Sequence, residues 1–202
     1  MSLFGYDQEL RQAHSILCGV DEAGRGPLAG PVFAAAVILP PDFALQGLDD
    51  SKKLSAKKRE SLLEPIQSGA LAWAIAQASV AEIEAINILQ AALLAMSRAV
   101  KDLSITPNLV LFDGNKLPDC ALPARAVVGG DRTSASIAAA SILAKVARDR
   151  AMVELANKYP AYHFEKHKGY GTELHYQALR EHGPCPVHRP AFLRSLYQEG
   201  KR

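Results

Sequence analysis

Four acidic side chains stand where a hard cation could be held. Asp21 and Glu22 lie side by side ahead of Ala23-Gly24, Asp113 precedes Gly114, and Asp131 follows Gly130. Carboxylate oxygens suit Mg²⁺ or Mn²⁺, and Mg²⁺ keeps several of its waters, so a few carboxylates sharing ions with a phosphate suffice. Two such ions roughly 3.5 to 4 Å apart activate an attacking water and stabilise a leaving oxygen, which is the chemistry of phosphodiester hydrolysis. Aspartate next to glycine is also ordinary turn composition, and Asp42 and Asp119 read that way. The pair at 21–22 differs because it closes an apolar run, where an unpaired charge is expensive unless it meets a cation.

The elements that carry these groups follow from the apolar pattern. Residues 15–20 lead into Asp21, and residues 32–39 form a second run bounded by Pro31 and Pro40; both read as buried strands. A charged helix begins at Ser55, runs to about Gln67 and stops at Gly69, and 71–78 follows as a third, alanine-rich strand. Ser79 with Glu82 is a capping box for a helix whose apolar positions Ile83, Ile86, Leu89, Leu93, Leu94, Met96 and Val100 keep a helical period. Strands at 109–112 and 124–128 each run out into an aspartate. An alanine-rich helix spans 134–158, and shorter helices follow Thr172 and Pro190. This order implies an α/β fold with a mixed sheet flanked by helices. Adjacent strand residues face opposite sides of a sheet, so a strand end or bulge is expected at Asp21–Glu22 if both are to serve one site.

Directly after the acidic pair comes GRGPLAG, residues 24–30, whose spacing fits neither GxGxxG nor a Walker loop. Its glycines let the main chain approach a nucleic-acid backbone or a ribose closely, or simply make a tight turn. Arg25 either holds a phosphate or braces that turn. Lys52, Lys53, Lys57, Lys58 and Arg59 form a basic run that is a solvated helix face or, beside a metal site, a phosphate track. Tyr170 sits between Gly169 and Gly171, suited to presenting its ring to a sugar or base. His182, Cys185 and His188 mimic half a zinc site but lack a second regular pair.

Composition narrows the classes. The 202 residues, 49% hydrophobic and 22% charged, support one globular domain and exclude intrinsic disorder, and the net charge of +2 leaves nucleic-acid binding to local clusters. Cys18, Cys120 and Cys185 are odd in number with no CxxC pair, which excludes a disulfide framework and fits a reducing compartment. No apolar stretch spans a bilayer without charges, and residues 1–14 are polar, so a cytoplasmic protein is expected.

Taken together, GVDEAGRGP (19–27), DSKKLS (50–55), Asp113-Gly114, Gly130-Asp131 with IAAASILAKV (137–146), and HKGYGT (167–172) closely resemble bacterial ribonuclease HII, in family order over nearly the whole chain. The resemblance implies an RNase H-like fold with a central mixed five-stranded sheet and a single domain over 1–202, with 160–202 as a C-terminal helical extension. It implies Mg²⁺ or Mn²⁺ held by Asp21, Glu22, Asp113 and Asp131, and a 2′-hydroxyl read by Gly24, Arg25, Gly26 and Tyr170, with Lys52 and Lys53 on the nucleic acid. The expected substrates are RNA/DNA hybrids and duplex DNA with embedded ribonucleotides, cut by a monomer to leave 3′-hydroxyl and 5′-phosphate ends. The placement of Arg132 just after Asp131 is less typical of the family. No clamp-binding peptide is evident in residues 193–202. Two other classes compete: a non-catalytic hybrid-binding module using the basic run, and a metal-dependent nuclease acting on DNA junctions.

Overall fold

The computed structural model describes the backbone of residues 2–198 and side chains through Arg194. The C-terminal stretch considered for a clamp-binding peptide therefore lies partly outside the described residues. Five strands, β1 (Leu17–Ala23), β2 (Val32–Ile38), β3 (Ala72–Ala78), β4 (Leu109–Asp113) and β5 (Ala124–Val127), form one sheet in the order β3-β2-β1-β4-β5. β2 is antiparallel to β1 and β3, while β1, β4 and β5 are mutually parallel, which makes the sheet mixed as expected. β1, β4 and β5 thus deliver their C-terminal ends to one edge, and the acidic residues sit there.

Strand alternation sorts the core into two faces. Cys18, Val20, Ala34 and Ala36 face a helix spanning Val80–Lys101, through Ala91, Ala95, Met96 and Ala99. Ala35 and Val37 face the helix Ala135–Lys158, through Ala138, Ile142 and Leu143. In chain order the helices are α1 (Leu3–Arg11), α2 (Ala56–Gly69), α3 (Val80–Lys101), α4 (Ala135–Lys158), α5 (Phe164–His167), α6 (Glu173–His182) and α7 (Pro190–Gln198). α4 lies unusually close to β1: a Cβ on Gly19 would sit 2.1 Å from the Ser136 carbonyl carbon, so this strand position admits glycine alone. The small residues of α4 make the same approach possible along its length.

α1 was not foreseen from its polar sequence. Its buried Asp7 accepts hydrogen bonds from the Ser136 amide, 2.9 Å, and the Ser136 hydroxyl, 2.7 Å, at the start of α4. A carboxylate at a helix N-terminus satisfies an orphan donor and meets the positive end of the dipole. α3 also departs from the expected continuous helix. Asn87 has φ 65° and ψ 165°, and its side chain caps the amides of Leu89 and Gln90 at 3.0 and 3.1 Å. The helix restarts there, which is why Ile86, expected on the apolar face, is exposed. α3 has the length and composition of a membrane span, but its apolar side covers the sheet. A third cluster joins Leu28, Ala29, Met152 and Ala156 to Tyr162, Phe164, Leu179 and Leu193, and so packs the C-terminal helices onto α4 and the loop after β1.

Candidate active site

β1 runs through Asp21 and Glu22 to Ala23 in unbroken register with β2, with Asp21 opposite Ala35 and Glu22 opposite Ala34. The expected bulge is absent, and the strand does not end at the acidic pair. What ends is the pairing on the other side, where β1 meets β4 last at Val20 and Phe112. Alternation therefore leaves Asp21 on the α4 side with Gly19 and Glu22 on the α3 side with Val20. They approach a common centre because β4 stops beside them and Asp113 lies at its tip. No kink is needed when two carboxylates flank the end of a neighbouring strand.

The electrostatics confirm the crowding. Asp21 is almost wholly buried; that burial, then Glu22 and Asp113, raise its pKa well above the carboxylate range. Glu22 is raised by burial, with Asp113 adding to it and Arg25, 3.3 Å away, opposing. Asp131 sits in a single 3-10 turn, Gly130–Arg132, and is raised by burial and then by Asp113 and Asp50. Asp113 accepts the Gly130 amide at 2.6 Å, which ties the tip of β4 to the turn that presents Asp131. Lys52 reaches Asp131 at 3.5 Å. Burial works against its charge, but Asp21, Asp131, Asp50 and Asp113 outweigh that and hold its pKa above the ordinary lysine value.

Four acidic groups with Asp50 beside them, and Lys52, Arg25 and Arg132 as the cations within ion-pair reach, form a centre short of positive charge. Among the described residues no three carboxylate, imidazole or thiol groups stand, as they are placed, close enough together to hold a metal ion. The donor set is all oxygen and open, which fits a hard cation that keeps waters and takes a phosphate oxygen, and fits neither zinc nor a soft metal.

The glycine turn adjoins this centre. Gly24 has φ +104°, and a Cβ there would lie 2.1 Å from Arg148 Nε. Gly26 is exposed, and a Cβ on it would meet Tyr170 Cε1 at 3.7 Å, so the turn and the tyrosine ring are direct neighbours. The Arg148 guanidinium lies 5.7 Å and Lys145 Nζ 5.9 Å from the ring centroid. Arg25 points outward to Glu22, so the bracing role falls to two arginines that sequence reading did not single out. Arg148 is fully buried and donates to the Lys168 carbonyl at 2.9 Å, with its Nε and Nη1 left without a hydrogen-bond partner. Arg189, also fully buried, donates to the carbonyls of Gly24, Arg25, Pro27 and Gly30 at 2.7 to 3.0 Å. Neither left a periodic or motif signal.

The basic run divides. Lys52 joins the carboxylates, while Lys53 pairs with Asp49 at 3.1 Å and has no described contact with them. Arg59 turns inward and donates to the carbonyls of Ser51 and Leu54, so it shapes the loop that carries Lys52. Asp50, buried beside Asp131, is a further acidic member that a DSKKLS reading focused on lysines passes over. The zinc-like trio does not assemble: Cys185 and His188 are in contact, but His188 Nε2 faces His175, and His182 lies edge-on to Tyr162.

A family model described as Ribonuclease HII matches residues 18–199. The chain is 59% identical over 177 residues to a ribonuclease HII of Idiomarina loihiensis, covering 88% of this chain and 95% of that protein. It is 60% identical over 177 residues to one of Burkholderia pseudomallei, covering 88% and 83%. Among solved structures, the ribonuclease H2 of Pyrococcus horikoshii superposes with TM-score 0.75 at 23% identity, over 93% of this chain and 99% of that one. A Bst-RNase HIII crystallised with Mn²⁺ gives 0.69 at 17% identity, over 93% and 71%. Both show that the five-stranded mixed sheet with helices on its faces is an RNase H-like fold, and the family match over nearly the whole length with relatives at about 60% identity establishes that this chain belongs to the ribonuclease HII family of metal-dependent endonucleases.

Proposed function

We propose that the protein hydrolyses the RNA strand of RNA/DNA hybrids and incises 5′ of single ribonucleotides embedded in duplex DNA, leaving 3′-hydroxyl and 5′-phosphate ends. The observation that carries this reading is the contact of Gly26 with the Tyr170 ring, four residues after Glu22. A sugar seated against that exposed pair would lie beside the turn that directly follows Asp21 and Glu22 in the chain. The 2′-hydroxyl is both donor and acceptor, and it is the group that separates RNA from DNA. The exposed backbone of Gly26 can engage it because that residue has no side chain, and the Tyr170 ring beside it extends the same surface.

Asp21, Glu22, Asp113 and Asp131 are the residues that would hold Mg²⁺ or Mn²⁺. Bound there as a pair, such ions supply the positive charge that activates the attacking water and stabilises the leaving oxygen. Arg25, exposed at the rim, and Lys52, reaching across the centre, offer charge-assisted hydrogen bonds to the phosphates on either side of the cut. Lys53, paired with Asp49, contributes a more distant charge to the backbone. Since the carboxylates, the glycine turn and Tyr170 all come from one chain, a monomer is sufficient. Three free cysteines fit a reducing, cytoplasmic setting. One solved neighbour, from Archaeoglobus fulgidus, is a PCNA:RNase HII complex; that partnership is stated of that protein.

The test is a nicking assay on end-labelled duplexes carrying one ribonucleotide, or none, across a series of divalent metals. A cut mapped to the 5′ side of the ribonucleotide, dependent on Mg²⁺ or Mn²⁺ and absent from all-DNA duplex, is expected. Equal cutting of the all-DNA duplex would replace the reading with that of a general nuclease, and no cutting by folded protein with metal would remove it.

A further inference from the structure

The stretch between α6 and α7 reads in sequence as a proline-rich break. In the fold it touches both halves of the sugar-reading surface. The Gly30 amide donates to the Val187 carbonyl, and the Arg189 amide to the Leu28 carbonyl, both at 2.8 Å, with Ala29 and His188 bridged between them. Arg189 then spends four of its N–H bonds on carbonyls of the glycine turn. A guanidinium has five donors in a fixed planar fork, so four converging carbonyls define its position and it defines theirs; the ammonium of a lysine has no such fork.

His188, the preceding residue, reaches the tyrosine side through a second imidazole. The Cys185 amide donates to His188 Nδ1 at 2.9 Å, the shortest contact at that nitrogen, with the Cys185 Sγ at 3.1 Å and its carbonyl oxygen at 3.3 Å; taken with the His175 end, Nδ1 is bare and Nε2 carries the proton. At the other end, His175 Nδ1 is 2.9 Å from the Tyr170 carbonyl, which can only accept, so His175 is protonated there and bare at Nε2. The two Nε2 atoms are 3.0 Å apart. Both ends therefore assign the same tautomers: His188 donates to His175, which donates to Tyr170. His167 stacks on His175 with ring centroids 4.4 Å apart, and the Gly169 carbonyl accepts the Leu28 amide, joining tyrosine loop to glycine turn.

We infer that His188 and Arg189 are positioning residues for ribonucleotide selection, Arg189 fixing the carbonyls of the glycine turn and His188, through His175, fixing the backbone of Tyr170. The inference rests on the proposed reading in which that turn and Tyr170 contact the sugar. Neither side chain touches the carboxylates, and both are buried, so they act through the loops they hold.

The experiment measures kcat and KM for nicking a single-ribonucleotide duplex by His188→Leu, His188→Gln and Arg189→Lys. Each is also tested in combination with Tyr170→Ala, with Mg²⁺-induced thermal shift and all-DNA duplex affinity measured alongside. A glutamine amide can accept at one end and donate at the other; leucine can do neither. His188→Leu and Arg189→Lys are expected to lower kcat roughly 10- to 100-fold, as a small misplacement of a positioned group does. KM, the metal-induced shift and all-DNA affinity should stay near the parent, and His188→Gln should recover most of the rate. In the Tyr170→Ala background His188→Leu should add little, because both act on one group. If Tyr170→Ala alone leaves the rate unchanged, the sugar-reading assignment is what fails. If Tyr170→Ala slows nicking while His188→Leu does not, or if their effects multiply, the positioning inference is overturned. Should His188→Leu fail to fold, His175→Gln interrupts the same relay at its other member and is judged by the same outcomes.

Discussion

The two halves of the site handle buried charge in opposite ways. At the carboxylate centre Asp21, Glu22, Asp113 and Asp131 are gathered with Lys52, Arg25 and Arg132 as partial compensation, and burial and mutual repulsion raise the pKa values of Asp21, Glu22 and Asp131. On the side proposed to read the sugar two buried arginines lie under the glycine turn, and Arg189 gives its donors to backbone carbonyls. On the proposed reading the first arrangement would be completed by a ligand, while the second is completed by the protein itself. Chemistry that needs a cation would then be served by stored repulsion, and discrimination between sugars by a surface already set before substrate arrives.

The largest test of that contrast is Asp21→Asn. On the proposed reading Asp21 helps hold the catalytic cations, and loss of such a charge is worth several kcal/mol, so nicking is expected to fall roughly 1,000-fold or more. The same change should stabilise the metal-free protein. With its folded pKa raised, the Asp21 carboxyl favours the folded state while protonated, and that contribution is lost as pH rises through the folded pKa. Removing the charge restores it at neutral pH, about 2–4 °C in Tm for each kcal/mol. A calorimetric scan in chelator, then with Mg²⁺, checks both parts. A variant less stable than the parent without metal would show that the centre is not under repulsion.

Gly24→Ala probes the other half and should act in the reverse direction, lowering stability. Its φ of +104° disfavours any side chain, and the new methyl would meet Arg148 Nε at 2.1 Å. Strain of this kind is worth about 1–3 kcal/mol, and the displaced guanidinium carries the Tyr170 side with it. Urea unfolding read with a metal titration should show reduced stability but unchanged cation affinity. A large change in cation affinity would mean the halves are not separable.

These outcomes bear on how far the sequence could be read. The apolar runs ending at Asp21, Asp113 and Asp131 are legible because strand burial and turn composition are local properties, and the four carboxylates they carry were named from that alone. Asp7, Arg148 and Arg189 were not legible, because their partners are carbonyls and amides brought near by tertiary closure, and such partners leave no spacing in the chain. The bulge expected at Asp21–Glu22 was argued from one strand in isolation; the neighbour's early end, which makes it unnecessary, is a property of the sheet. Asn87 likewise breaks a helix whose apolar period reads as continuous, because its carboxamide can cap the restarted turn.

The smallest expected effect concerns pH. His175 and His188 are each held down to about 4, by burial first, with His167, each other and, for His188, the Cys185 thiol as the nearest titrating neighbours and Tyr162 and Phe164 as the surrounding rings. Unfolded imidazoles take up protons near 6.5. Their contribution to stability is therefore complete above that pH and is lost as pH falls toward 4. Asp21, Glu22 and Asp131, with raised pKa values, push the other way, so the comparison is made between the parent and His175→Gln. Between pH 7 and 5 the parent should lose more stability than the variant, by on the order of 1 kcal/mol. Parallel profiles would show that the relay tolerates a second proton.

Arg189 is separated by 159 to 165 positions from the carbonyls of Gly24 and Gly30 that it holds. A contact of that sequence separation is among the last that a folding chain can make, since the entropy of closing so long a loop is lost before the contact repays it. The carboxylates of β1 and β4, by contrast, are gathered by the sheet itself. A refolding chain should therefore regain its sheet, and with it the gathered carboxylates, before Arg189 docks on the glycine turn; on the proposed reading, selectivity would be the late-arriving property of this molecule.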